Sequence, residues 1–168
     1  VKAGFPGLSL QLTIWSENAV DLSGVDKNRT GSTKDLVRLL EPDGITHYQF
    51  AHFVNIDRDY SEILSDVKNE WERIDREYPC PYYPHISVGW DNNPRFQSFR
   101  PGIVKNNTPD MVEKGLLMAR EYVDSHPNEV PLVTINSWNE WTESSYLQPD
   151  DRYGYGYLEA VRRVFLAP

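Results

Sequence analysis

Four times along the chain of 168 residues, a short β-favouring run leads into a polar loop and then into a helical stretch with one apolar face. The first unit begins at residues 8–15 and passes a loop holding Gly24 and Gly31. Its helix starts at Ser32 or Thr33 and carries Leu36, Val37, Leu39 and Leu40 as an apolar stripe. The second joins residues 45–54 to a helix capped by Ser61, with Ile63, Leu64, Val67, Trp71 and Ile74 on one side. The third couples residues 82–88 to a helix opened by Thr108 and Pro109, carrying Met111, Val112, Leu116, Ala119 and Val123. The fourth strand, residues 130–137, is followed by a Tyr/Gly loop and a last helix over residues 156–166. Such alternation predicts an α/β fold: a parallel sheet with helices packed outside it.

Two closures satisfy that pattern. An open doubly wound sheet usually carries a Gly-rich phosphate loop after a strand, and none is present here. The loops richest in chemistry all follow strands, which is where (β/α)8 TIM barrels keep their active sites. A complete barrel needs about 250 residues, so four β/α units amount to about half of one. Residues 1–168 therefore read as a single domain forming the C-terminal half of such a barrel, with a compact four-unit domain as the alternative. A half barrel would expose two sheet edges, so the expected partner is the other half of its own barrel.

Charge narrows the other partners. The net charge of -8 argues against nucleic acid and against an anionic membrane surface. No apolar run approaches the roughly 18 residues needed for membrane insertion. Cys80 is the single cysteine, so neither an internal disulfide nor a thiolate metal cluster is expected, and no cofactor or metal site is read. The opening VKAGFPGLSLQ has no Met, basic n-region or apolar h-region, and reads as a mature or excised piece.

The stretch INSWNEWTESSYLQP, residues 135–149, concentrates the chemistry. If the chain turns helically after the fourth strand, Glu140 and Glu143 share one face at i and i+3. Close carboxylates split their pKa values, so one serves as acid while the other stays ionised. Trp138 and Trp141 would shield the pair and offer stacking faces, Asn139 would bond a sugar hydroxyl, and Tyr146 would shape the same subsite. The bland alternative is a solvated helix start whose acids merely face the helix dipole.

GWDNNPR, residues 89–95, falls after the third strand on the same rim. Trp90 and Asp91 would contact the sugar, and Arg95 would hold a carboxylate, sulfate or phosphate. A turn stabilised by its own Asp and Asn side chains is the competing reading. Trp15, Ser16 and Glu17 end the first strand, and His47, Gln49 and His52 lie on or after the second. His47 and His52, five apart on one strand, should face opposite ways, and His85 reads as a core histidine. Asp150, Asp151 and Arg152 read as a charged turn.

WNEWTESSYLQPDDRYGYGYLEAV resembles the C-terminal signature of glycoside hydrolase family 99-like (WbsX-like) proteins, and WDNNPR resembles their W-D-N-T-P-R stretch. The resemblance covers residues 82–166 well and the first half loosely. It implies a (β/α)8 barrel, an oligosaccharide or polysaccharide substrate, and Glu140 and Glu143 as the catalytic pair of a retaining glycoside hydrolase. Glu140 would be the base acting on the substrate's 2-hydroxyl, and Glu143 the acid/base. The family's Gly after the second glutamate is Ser144 here, and its Glu before the Pro is Gln148. The resemblance also leaves open glycosyl transfer in polysaccharide biosynthesis and non-catalytic glycan binding.

Overall fold

The structure is a computed structural model and describes residues 4, 7–15, 20–21 and 30–166. Ser16, Glu17 and Gly24 lie outside the described residues. In chain order the elements are β1 (Gln11–Ile14), β2 (Val20–Asp21), β3 (Thr30–Gly31), α1 (Thr33–Leu40), β4 (Gly44–His47), α2 (Tyr60–Glu77) and β5 (His85–Ser87). They continue with α3 (Pro109–Ser125), β6 (Thr134–Asn136), β7 (Asn139–Glu140), β8 (Ser145–Tyr146) and α4 (Gly156–Phe165).

The fold is α/β, and its main strands are parallel. β1 pairs with β4, setting Leu12 opposite Ile45, and β5 pairs with β6, setting Ile86 opposite Ile135. A parallel bridge between Ile45 and Tyr82 joins the two pairs. Parallel neighbours cannot be linked by a tight turn, so each return path needs a crossover, which α1, α2 and α3 provide. The crossover helices α2 and α3 bury the stripes read from the sequence: Ile63, Leu64, Val67, Trp71 and Ile74 on α2, and Val112, Leu116 and Ala119 on α3. Among the described residues no helix is long and apolar enough to cross a membrane.

Helix starts follow local chemistry. Ser32 caps α1 in a reciprocal box with Asp35. Pro109 occupies the first turn of α3, where no amide donor is needed. The expected start of α2 is corrected. Asp59, not Ser61, is the cap, and its carboxylate accepts from Ser61 N at 2.9 Å and Ser61 Oγ at 2.6 Å.

The strands are shorter than their β-favouring runs. The second ends at His47, because the Gln49 side chain accepts from Phe50 N at 2.8 Å and starts a 3-10 helix over Phe50–His52. His52 therefore lies in the 3-10 helix and not, as expected, on one strand with His47. Pro84 and Pro131 lie inside the expected third and fourth strands and supply no amide donor to a ladder. His85 is a satisfied core histidine: Nδ1 contacts Thr134 Oγ1 at 2.9 Å and Nε2 contacts Ser87 Oγ at 3.0 Å. Two short antiparallel pairs, β2 with β3 and β7 with β8, have no counterpart in the sequence reading.

Candidate active site

The turn that carries both glutamates is built by small polar residues at its base. β7 and β8 pair Glu140 with Ser145 and Asn139 with Tyr146. Ser137 Oγ donates to Ser145 O at 2.7 Å and accepts from Glu140 N at 3.1 Å. Ser145 Oγ donates to Asn136 O at 2.8 Å, which ties the far side of the turn to the end of β6. Between the two short strands, Trp141–Glu143 forms a single 3-10 turn. Three residues per turn eclipse positions i and i+3, so Glu140 and Glu143 project from one side. The helical turn expected here is thus present in its tighter form, inside a hairpin.

Arg95 joins the pair. Its Nη1 donates to Glu143 Oε1 at 2.5 Å, its Nη2 to Glu140 Oε2 at 3.2 Å, and its Nε to Thr142 Oγ1 at 2.8 Å. One guanidinium fork therefore spans both carboxylates, so the cation expected to grip an anionic ligand is engaged by the protein's own acids. Asp91 N donates to Glu143 O at 2.8 Å, fastening the third-strand loop beneath the turn. The Asp91 carboxylate accepts from Asn93 N at 2.9 Å and Asn93 Nδ2 at 2.7 Å, which is the turn-stabilising role.

The two acids have different surroundings. Glu143 is 8% exposed, and its Oε2 has no hydrogen-bond partner among the described residues. Burial pushes its carboxyl above the ordinary range, the Arg95 charge opposes the shift, and the Glu140 charge reinforces it. The solvated helix start is excluded for Glu143. Trp138 is itself 53% and Trp141 44% exposed. Trp141 stacks on Tyr146 at 3.9 Å between centroids, and its Nε1 donates to Gln148 Oε1 at 2.6 Å. Gln148 thus holds an aromatic ring in place. Asn139 is exposed on the hairpin.

Trp90, Asp91 and Tyr146 come together beside the turn, around a cavity of about 210 Å³ that Asn107, Ser144 and Arg152 also line. The Tyr146 hydroxyl donates to Asp150 Oδ2 at 2.9 Å, and Asp150 also accepts from Arg152 N at 2.9 Å, so 150–152 is the charged turn read from the sequence. Gly89 is required by close approach: a Cβ there would lie 2.4 Å from Ser144 O. Thr142 and Ser137 were missed by sequence reasoning, and Gln49, noted at the end of the second strand, was given no role there. Gln49 is fully buried and donates to Asn136 Oδ1 at 3.0 Å, anchoring the strand end from which the turn departs. A lone polar residue in an aromatic run was the available signal.

Ser144 has φ 52 and ψ 32, the left-handed conformation that costs an L-residue about 1–2 kcal/mol and suits glycine. That accounts physically for glycine at this point in the resembled signature. Ser144→Gly is expected to raise stability by about 0.5–1 kcal/mol, part of the gain being offset by chain entropy. Denaturant melts of the two proteins check this, and a lower midpoint for the glycine variant would mean that the serine side chain contributes to the turn.

The family model described as glycosyltransferase WbsX matches residues 11–161, so the match takes in the first half of the chain as well as the motif region. "Uncharacterized protein WxcX" of Xanthomonas campestris pv. campestris, found in two strains, is 34% identical over 107 residues. That alignment covers 63% of this chain and 14% of the relative, so the chain spans a small part of the length of the curated proteins it matches. A solved GH99 endo-alpha-mannosidase from Bacteroides thetaiotaomicron superposes with a TM-score of 0.48 at 15% identity, over 77% of this chain and 40% of that one.

Proposed function

The chain belongs to the family described as glycosyltransferase WbsX, a family of carbohydrate-active enzymes, and on that premise we propose that it carries the catalytic pair of a retaining glycoside hydrolase. The observation that carries the proposal is the unequal pair. Buried Glu143 has one oxygen on Arg95 and the other unpartnered, and Glu140 lies one 3-10 turn away on the same guanidinium. A carboxyl whose burial favours the neutral form is suited to be the general acid, which leaves Glu140 the role of base. Both acids reach one guanidinium fork, which supports their acting on one bond; retaining sites hold such a pair roughly 5–5.5 Å apart.

In the proposed reaction Glu140 takes the proton of the substrate's 2-hydroxyl as that oxygen attacks the anomeric carbon. The glycosidic bond breaks, and its oxygen leaves with the proton of Glu143. Water then adds at the anomeric carbon, giving a proton to Glu143, while the bond from that carbon to the 2-oxygen breaks and the 2-oxygen recovers a proton from Glu140. Trp138, Asn139, Trp141 and Tyr146, with Trp90, Asp91 and Arg95 of the neighbouring loop, would form the sugar-binding surface. The parallel strands support a (β/α)8 barrel of which residues 1–168 are one domain and the C-terminal half, completed by the other half of the barrel.

The family's description favours a second reading, glycosyl transfer from an activated donor. The two part on co-substrate. The complete protein should release reducing ends from a panel of α-mannosides and anionic polysaccharides with no nucleotide-sugar present. Turnover that starts only when a nucleotide-sugar is added would replace hydrolysis with transfer.

A further inference from the structure

We infer that Trp15, held flat by Tyr48 and His52, is a distal saccharide subsite that binds a sugar unit of the same glycan away from the bond being cleaved. This inference rests on the glycan-processing reading above. The parallel strands end in aromatic residues on one rim: Trp15 directly follows β1, Tyr48 directly follows β4, and Trp90 and Trp138 lie just beyond β5 and β6. Trp138 lies two residues before Glu140, and Trp90 precedes Asp91, whose N–H bonds the Glu143 carbonyl. Trp15 and Tyr48 extend the row across the first two strands.

The ring geometry is that of a prepared platform. Trp15 stacks on His52 with centroids 4.4 Å apart and planes 19° apart, and on Tyr48 at 5.2 Å and 12°. Tyr48 and His52 are only 5.9 Å from each other and nearly coplanar in orientation, too close to lie on opposite faces of the indole. Both therefore support the same face, and among the described residues no ring stacks on the other, with 59% of Trp15 exposed. Single exposed apolar residues are ordinary, but one stiffened by two stacked rings has already lost the freedom that binding would otherwise take away. An open, rigid indole face matches the apolar face of a pyranose ring, whose axial hydrogens pack on aromatic carbon.

Continuity selects the occupant. Trp90 meets His52 edge-on at 6.4 Å, and the next residue, Asp91, bonds the backbone of Glu143 at 2.8 Å. A row of rings thus runs from the glutamate turn through Trp90 and His52 to Trp15. The molecule able to use both ends is one extended oligosaccharide. A substrate too short to reach Trp15 gains nothing from it.

The test uses the complete protein, with Trp15, with Trp15→Ala, and with Trp15→Tyr. Calorimetric titrations with the disaccharide and hexasaccharide of mannan and of alginate read the benefit of chain length, and a thermal melt checks each fold. The hexasaccharide should bind the Trp15 protein about tenfold more tightly than the disaccharide, equivalent to about 1.4 kcal/mol. Trp15→Ala should lose that increment and keep its disaccharide affinity, while Trp15→Tyr should retain most of it. An unchanged increment in Trp15→Ala, an equal loss for both lengths, or no length dependence in the Trp15 protein overturns the subsite. The catalytic reading fails separately: it falls if Glu143→Gln turns over glycan normally, whatever the titrations give.

Discussion

Glu143→Gln should lower kcat on a true glycan substrate by about 10²–10⁴-fold, the range carried by a positioned proton donor, while leaving KM within a few-fold. The amide keeps the size of the carboxyl and can still accept from the Arg95 Nη1 that bonds Oε1. What it lacks is a transferable proton. Folding should not suffer, because burial outweighs the Arg95 charge in raising the pKa of this carboxyl, so the neutral amide avoids the desolvation of a buried charge. The variant is expected to melt at the same temperature as the parent or above it. Steady-state kinetics beside a thermal melt separate the cases. Full turnover by a folded Glu143→Gln would remove Glu143 from the acid/base role, and lost turnover with a collapsed melt would show only that the turn had come apart.

The second large effect is on stability in mild acid. His47 and His85 are both buried, and burial pushes each pKa down to about 3. For His47 the charges of His85, Arg73 and His52 act in the same direction. Glu70 lies 3.9 Å from His47 Nε2 and would favour the cation, but Arg73 already holds Glu70 at 2.7 Å. In the unfolded chain each histidine gains a proton near pH 6.5, whereas the folded protein resists until about pH 3. Their contribution is therefore whole above pH 6.5 and is lost as pH falls towards 3. Between pH 7 and 5 that amounts to about 2 kcal/mol per histidine, about 4 together. Urea melts at the two pH values measure it. A stability that stays flat over this window would mean that one or both rings take up protons in the folded state.

Periodicity made the helices legible, since the stripes on α2 and α3 are buried where a 3.6-residue repeat places them. Strand ends were less legible because a β-favouring composition does not say where a ladder stops. That was decided by one side chain, Gln49 capping Phe50, and by prolines with no donor to give. Within the site, the spacing of Glu140 and Glu143 was visible, but the partner between them was not. Arg95 and Glu143 are 48 positions apart, and no local pattern links them. Equally hidden was the hairpin, whose fastening depends on Ser137 and Ser145, two residues common enough to pass without notice.

The arrangement of Arg95 has an evolutionary consequence. The acids stand at the end of one strand, and the cation that tempers them stands on the loop of its neighbour, closed on itself where Asn93 and Arg100 exchange hydrogen bonds at 2.9 and 2.7 Å. The proton affinity of Glu143 is therefore adjustable by inheritance at a distance. Insertions or substitutions in that loop that shift the guanidinium would reset the acidity at which a descendant works, with both glutamates untouched. The buried carboxyl is thus tuned from a surface loop, the part of a protein that tolerates change best.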